Sequence, residues 1–165
     1  MIEIVTAEVT DFEAIQQIAR EIWYAHFSNI LASEQIEYML LMMYANDVMR
    51  KEIESDGIVY KKVLQAQILF GYLCYGAYVA GKVMKLHKCY LHPLLHGKGY
   101  GQVMLQYVCD TAKDLGYQEV ILGVNKQNHK ALKAYQRFGF VVVSAETTDI
   151  GGGFVMDDYV LSYKL

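Results

Sequence analysis

Lys88-Cys89-Tyr90-Leu91-His92-Pro93-Leu94-Leu95-His96-Gly97-Lys98-Gly99-Tyr100-Gly101 is the stretch whose reading decides the fold. Its first residues close a run with strand character, and His92-Pro93 ends that run, because proline has no N–H to give to a ladder. Glycines then alternate at 97, 99 and 101. Without Cβ atoms such a loop turns tightly and presents successive N–H groups towards one point. Met104, Val108, Thr111 or Ala112, and Leu115 follow at helical spacing, with Gly116 as the stop. A helix start adds about half a positive charge to the N–H groups, so the loop suits a phosphate or pyrophosphate. The spacing is wrong for a P-loop, which needs GxxxxGK and then Ser or Thr. It is also wrong for a dinucleotide fingerprint, since GxGxG here follows four predicted strands instead of opening a first βαβ unit.

Working outward, residues 118–124 read as a buried strand, and Asn128 caps a helix with Ala131, Ala134, Tyr135 and Phe138 on its inner face, closed by Gly139. Strands at about 140–147 and 154–164 complete the chain. Upstream, strands are predicted at about 57–64, 68–79 and 82–91, and a short one at 2–6. Thr10 and Glu13 fit a capping box for a helix running to about His26. Ser33 is the expected cap of a second helix, with Ile36, Met39, Leu40 and Met43 inward, and Asn46 starts a further helical segment. The order β-αα-βββ-α-β-α-ββ predicts an α/β or α+β domain with a mixed sheet flanked by helices. A length of 165 residues suits one domain.

Composition narrows the function. A hydrophobic share of 54% with a single proline excludes a largely disordered chain. The net charge of -3 argues against nucleic acid, whose partners carry a large basic excess. Cys74, Cys89 and Cys109 are odd in number and form no CxxC pair, which suggests neither a zinc site nor a disulfide framework and points to reduced thiols in a cytoplasmic protein; no metal is expected. The acidic N-terminal residues lack the basic n-region of a signal peptide, and none is expected there. The longest uncharged stretch, 65–81, is too short and too glycine-rich to span a membrane, so a soluble protein is expected. The charge is also unevenly spread: residues 1–60 carry 11 acidic and 3 basic side chains, and residues 61–165 carry 7 and 12.

The strand Lys88–Leu91, His92-Pro93, the loop His96–Gly101 and the later pattern Asn128-x-x-Ala131-x-x-Ala134-Tyr135-x-x-Phe138-Gly139-Phe140 together resemble the GCN5-related N-acetyltransferase (GNAT) family. The loop is similar to that family's (Arg/Gln)-x-x-Gly-x-(Gly/Ala) signature, departing from it in having His96 at the first position. The specific match covers residues 83–140. The resemblance implies a single N-acetyltransferase-like domain over 1–165, with a mixed, mostly antiparallel sheet of about six or seven strands and about four helices. It implies acetyl-CoA as cosubstrate, entering where the fourth and fifth strands splay apart. The backbone around Tyr90 and Leu91 would pair with the pantetheine arm. His96, Gly97, Lys98, Gly99, Tyr100 and Gly101 would hold the pyrophosphate, and Asn128 would contact the cofactor further along. Tyr135 would lie near the thioester sulfur as the general acid. A homodimer is compatible with the resemblance.

The chemistry agrees with these roles. Attack by a neutral amine makes a tetrahedral oxyanion that strand N–H groups stabilise, and a phenol is a suitable proton donor to the departing thiolate. The general base is open among Glu21, His26, Glu37, His87, Asp157 and Asp158. Tyr24 and Tyr38 are candidate walls of an acceptor pocket. The acceptor is a primary amine, with a cationic one such as a polyamine suggested by the acidic first part of the chain. Two alternatives stand beside this: a peptide or protein N-terminal acetyltransferase, and a non-catalytic acyl-CoA-binding sensor.

Overall fold

The computed structural model describes residues 1–165. Seven strands and five helices follow one another as β1 (Glu3–Thr6), α1 (Phe12–Phe27), α2 (Ser33–Tyr44), α3 (Asn46–Glu54), β2 (Val59–Gln65), β3 (Ile68–Val79), β4 (Val83–Leu91), α4 (Tyr100–Asp114), β5 (Glu119–Asn125), α5 (His129–Phe138), β6 (Val141–Gly151) and β7 (Phe154–Lys164). The strands form one sheet in the order β1-β2-β3-β4-β5-β7-β6. Pairs β1–β2, β2–β3, β5–β7 and β6–β7 are antiparallel, whereas β4–β5 is parallel. This is the mixed α/β architecture that the sequence predicts, with Asn46–Glu54 making a fifth helix.

Two local expectations are corrected. The capping box lies at Glu8 and Asp11, not at Thr10 and Glu13. A 3-10 turn over Val9–Asp11 precedes α1, and the Asp11 carboxylate accepts the Glu8 N–H at 2.8 Å. Ser33 is already the first helical residue of α2, so the extended Ala32 takes the cap position and no side chain caps this helix.

The chain divides into two compact units. The first comprises residues 1–76 and 88–100. Here α1 buries Phe12, Ile15, Ile18, Ala19, Ile22, Trp23 and Phe27, the period-3.6 face that its sequence spells out. Burying each large apolar side chain contributes about 1.5–3 kcal/mol. Tyr44, Tyr60 and Tyr72 are also buried. The Tyr44 and Tyr72 hydroxyls bond to each other at 2.6 Å, which satisfies both polar tips inside an aromatic interior. Burial pushes both phenols well above the usual tyrosine range.

Lys88 is a charge within this interior, its side chain 3% exposed. Its Nζ donates to the Tyr60 hydroxyl at 2.5 Å and lies 3.4 Å from Glu52 Oε2. It also lies 4.8 Å from the ring centres of Tyr44 and Tyr60. A buried cation survives when paired and hydrogen-bonded in this way.

The second unit comprises residues 77–87 and 101–165. Met104, Leu105, Val108, Cys109 and Ala112 of α4 are buried, as are Val120, Leu122 and Val124 of β5 and Leu161 of β7. The β6–β7 hairpin stands apart: nearly every residue of β6 is exposed, Val141, Val142 and Val143 included.

Candidate active site

In the first unit, β4 ends at Leu91, and the chain turns into the glycine loop. The His92 N–H donates to the Phe70 carbonyl at 2.7 Å, and the His92 Nδ1 accepts the Leu94 N–H at 3.3 Å. Pro93 opens a 3-10 turn over Pro93–Leu95. His96 then reaches back: its Nε2 lies 2.8 Å from the Leu91 carbonyl, so that nitrogen carries the hydrogen. The bond ties the first residue of the loop to the end of β4, a use of His96 that an Arg-or-Gln signature does not anticipate. Gly97 and Gly99 adopt φ of +74° and +80°, the left-handed region where a side chain is strained. A Cβ at Gly97, Gly99 or Gly101 would meet nothing within 4 Å. The loop's glycines therefore serve backbone conformation and leave open space in front of it. Lys98 and Gly99 are exposed. Tyr100 begins α4, and its hydroxyl accepts from the Gln65 amide at 3.1 Å.

Tyr90 lies half-buried, its ring 5.8 Å from Trp23, 6.4 Å from Phe27 and 5.5 Å from Tyr72. Leu91 is buried. Aromatic packing thus fixes the last residues of β4. A feature absent from the sequence reading sits beside them: His92 Nε2 is 3.8 Å from Glu21 Oε2. The only sequence signal for it was a histidine placed between a strand end and a proline.

In the second unit, the parallel ladder joins Val83–Lys85 to Glu119–Ile121 and stops there, although β4 and β5 both run on. Asn128 caps α5, its Oδ1 accepting the Ala131 N–H at 3.3 Å. Tyr135 is half-exposed on α5, with its ring edge-on to Phe140 at 6.0 Å. Lys130, Lys133 and Arg137 are exposed on the same helix, giving it a positive surface. The Gln102 amide donates to the Ala134 carbonyl at 3.1 Å, joining α4 to α5.

The candidate bases separate by their partners. Glu37 accepts hydrogen bonds from Tyr24 and Arg20, which hold its carboxyl below the usual range. Tyr24 is therefore engaged in tying α1 to α2. His26 stacks near His96, ring centres 5.0 Å apart. His87 is exposed on β4. Asp157 pairs with Lys126 at 2.7 Å and accepts from the Thr147 hydroxyl at 3.0 Å, and these bonds lower its pKa. Asp158 is shifted the other way: burial, then the charge of Asp157, raises its carboxyl above the usual range. Burial also pushes the Cys89 and Cys109 thiols up to about 12, so neither is a reactive thiolate. No group of three or more His, Cys, Asp or Glu side chains is placed to hold a metal ion. No helix is long and apolar enough to cross a membrane.

Residues 12–140 match the acetyltransferase (GNAT) family. The chain belongs to that family. Among curated GNAT relatives it is 29% identical over 161 residues to a spermidine N(1)-acetyltransferase of Thermoplasma acidophilum, covering 94% of this chain and 96% of that one. It is 37% identical over 68 residues to an L-amino acid N-acyltransferase of Escherichia coli K12, covering 41% of this chain. That match spans 39% of the Escherichia coli protein's length. The fold aligns with the crystal structure of the PaiA N-acetyltransferase from Thermoplasma acidophilum in complex with coenzyme A, at a TM-score of 0.83 and 26% identity, covering 100% of this chain and 99% of that one.

Proposed function

We propose that residues 1–165 act as one acetyl-CoA-dependent N-acetyltransferase domain, moving the acetyl group to a primary amine on a small cationic acceptor of the polyamine class. The observation that carries the cofactor half is the loop His96–Gly101. Its Gly97 and Gly99 take positive φ, open space lies in front of them, and α4 begins at Tyr100. Backbone N–H groups at such a helix start bind the oxygens of a pyrophosphate. The backbone at Tyr90 and Leu91 would pair with the pantetheine arm, and Asn128 would contact it further along. The early end of the β4–β5 ladder supports this, because strand N–H and C=O groups beyond Lys85 and Ile121 are not taken up by that pairing.

Tyr135 is the general acid in this reading. The amine nitrogen attacks the thioester carbonyl, the oxyanion collapses, the C–S bond breaks, and the phenol gives its proton to the thiolate. Holding amine and thioester in attack geometry supplies much of the rate. The cationic acceptor is supported by the spermidine N(1)-acetyltransferase relative, which aligns over nearly its full length. The excess of 11 acidic over 3 basic side chains in residues 1–60 points the same way. The three free thiols suit a reducing, cytoplasmic compartment.

A thiol-release assay with acetyl-CoA tests the reading against spermidine, amino acids and short peptides. Spermidine is expected to turn over fastest, with an acceptor KM that rises with salt. Tyr135→Phe is expected to lower turnover at least tenfold, within the range for loss of a general acid, while acetyl-CoA affinity stays unchanged. Neutral amines reacting as well as spermidine would remove the cationic acceptor, and an unchanged rate in the variant would remove Tyr135.

A further inference from the structure

An acceptor that is an ammonium at neutral pH must lose a proton before its nitrogen has a lone pair to attack with. The geometry points to Asp158 as the general base that takes this proton. The inference rests on the acetyl-transfer reading above and assigns the step which that reading leaves without a residue.

Asp158 lies on β7 opposite Asn125 of β5. Asn125 belongs to the part of β5 that continues past the last pair with β4. Side chains alternate along a strand, so Asp158 shares its face with Gly123 and Asn125 of the neighbouring strand, while Asp157 faces the other way. Asp158 Oδ2 lies 3.6 Å from where a Cβ on Gly123 would stand. The carboxylate thus leans from β7 across β5 over a position that has no side chain, towards the edge of β5 where the ladder with β4 has ended. Any larger residue at 123 would stand beside this carboxylate on the same face.

The electrostatic surroundings match the role. Four charged groups act on Asp158: Asp157 of its own strand, Glu146 opposite it on β6, Lys85 on β4 and Lys126 after β5. Burial is the leading influence and favours the neutral carboxyl, the two acids add to it, and the two lysines oppose it. A carboxyl so placed holds a proton more readily than an exposed one, which improves it as an acceptor near neutrality. Asp157, tied to Lys126 and Thr147 on the opposite face, has the reverse environment.

The proton balance closes. The ammonium gives one proton to the Asp158 carboxylate, and the freed lone pair forms the C–N bond. The tetrahedral centre then collapses with cleavage of C–S. The nitrogen loses its second proton as the thiolate gains one from Tyr135, whose phenol is restored by the proton leaving nitrogen. Asp158 releases the first proton to solvent. Net, one ammonium and one thioester give one amide, one thiol and one proton.

The test is the pH profile of full-length Asp158→Asn, with Asp158→Glu and Asp157→Asn beside it and spermidine as acceptor. Asp158→Asn is expected to lower kcat/KM about 100-fold, the scale of a lost general base, and to abolish the acid limb. Coenzyme A should raise its melting temperature as much as in the wild type. Asp158→Glu should keep an acid limb, and Asp157→Asn should stay within twofold. An amine acceptor that is already neutral at the assay pH should recover most of the loss. The inference is overturned if Asp158→Asn stays within threefold or keeps the acid limb. It is equally overturned if the loss falls wholly on acceptor KM, which would make Asp158 an anchor for the cation. Wild-type protein that binds coenzyme A but releases no thiol with any amine would sink the acetyl-transfer reading itself, and this step with it. An active wild type with an unimpaired Asp158→Asn would remove only the base.

Discussion

The interior around Lys88 and the β6–β7 hairpin treat charge in opposite ways. In the first unit a lysine is enclosed by Tyr44 and Tyr60 and held to Glu52 and the Tyr60 hydroxyl, so a buried charge has its partners built in. In the second unit β6 leaves nearly all its side chains in water, Asp157 on β7 is exposed and paired with Lys126, and the neighbouring Asp158 is shifted by desolvation. The contrast separates structural charge from working charge. Lys88 is compensated on all sides and serves the fold. Asp158 is left with a carboxyl that ionises reluctantly, a state that costs stability and suits proton transfer.

The largest effect expected from breaking this contrast is at Lys88. Lys88→Ala leaves the part-buried Glu52 carboxylate without its cation and opens a cavity, for a loss of about 3–5 kcal/mol read from urea unfolding. Lys88→Met, which keeps the stem, should lose clearly less. Equal losses in the two variants would show that pairing, and not packing, holds the site.

A smaller loss is expected at the buried hydroxyl pair. Tyr44→Phe removes one partner of a 2.6 Å bond and leaves the other hydroxyl unsatisfied, costing about 1–2 kcal/mol. The Tyr44→Phe, Tyr72→Phe double variant should lose less than the two single losses together, because no orphaned hydroxyl remains. Strict additivity in the unfolding curves would mean that the two hydroxyls act independently.

The smallest effect carries the most information, because its sign is opposite. Asp158 has a raised folded pKa, so the neutral carboxyl is the form that folding favours. At pH below the unfolded value of about 3.9 the group is protonated in both states and imposes no penalty. As pH rises through the folded pKa, ionising the buried carboxyl weakens the fold. Asp158→Asn should therefore melt above wild type at pH 7, and the gap should close towards pH 4. Asp157, with a lowered pKa, contributes stability above the unfolded value that is lost as pH falls through the folded one. It is exposed, and Asp157→Asn should not move the urea midpoint measurably. An Asp158→Asn protein that melts below wild type at pH 7 would contradict the desolvated carboxyl.

Much of the fold was readable in advance because period and punctuation are local. Ile68–Val79 and Phe154–Lys164 appear as strands with the expected bounds, and Gly116 and Gly139 do end their helices with φ of +84° and +126°. The helix starts were less legible. Thr10 and Ser33 have the right chemistry for caps, yet one falls inside a 3-10 turn and the other inside the helix, since a shift of one or two residues removes the bond. The β2–β3 hairpin was legible as two strands only. Its turn, Ala66-Gln67, takes φ of 50° and 66° without a glycine, a strain that the flanking pairs impose.

At the candidate site, the sequence by itself determined what backbone chemistry requires: alternating glycines before a helix, an asparagine at a cap, and a tyrosine two turns further on. Those signals are short-range, because each residue acts on a backbone only a few positions away. The tertiary structure decided what depends on burial and on partners distant in the chain. Asp157 and Asp158 are the same residue type in adjacent positions, and strand alternation with the neighbouring β5 and β6 sends one to Lys126 and the other over Gly123. A carboxyl's affinity for its proton is set by solvent and by charges that folding brings near it, and neither is written in the order of residues.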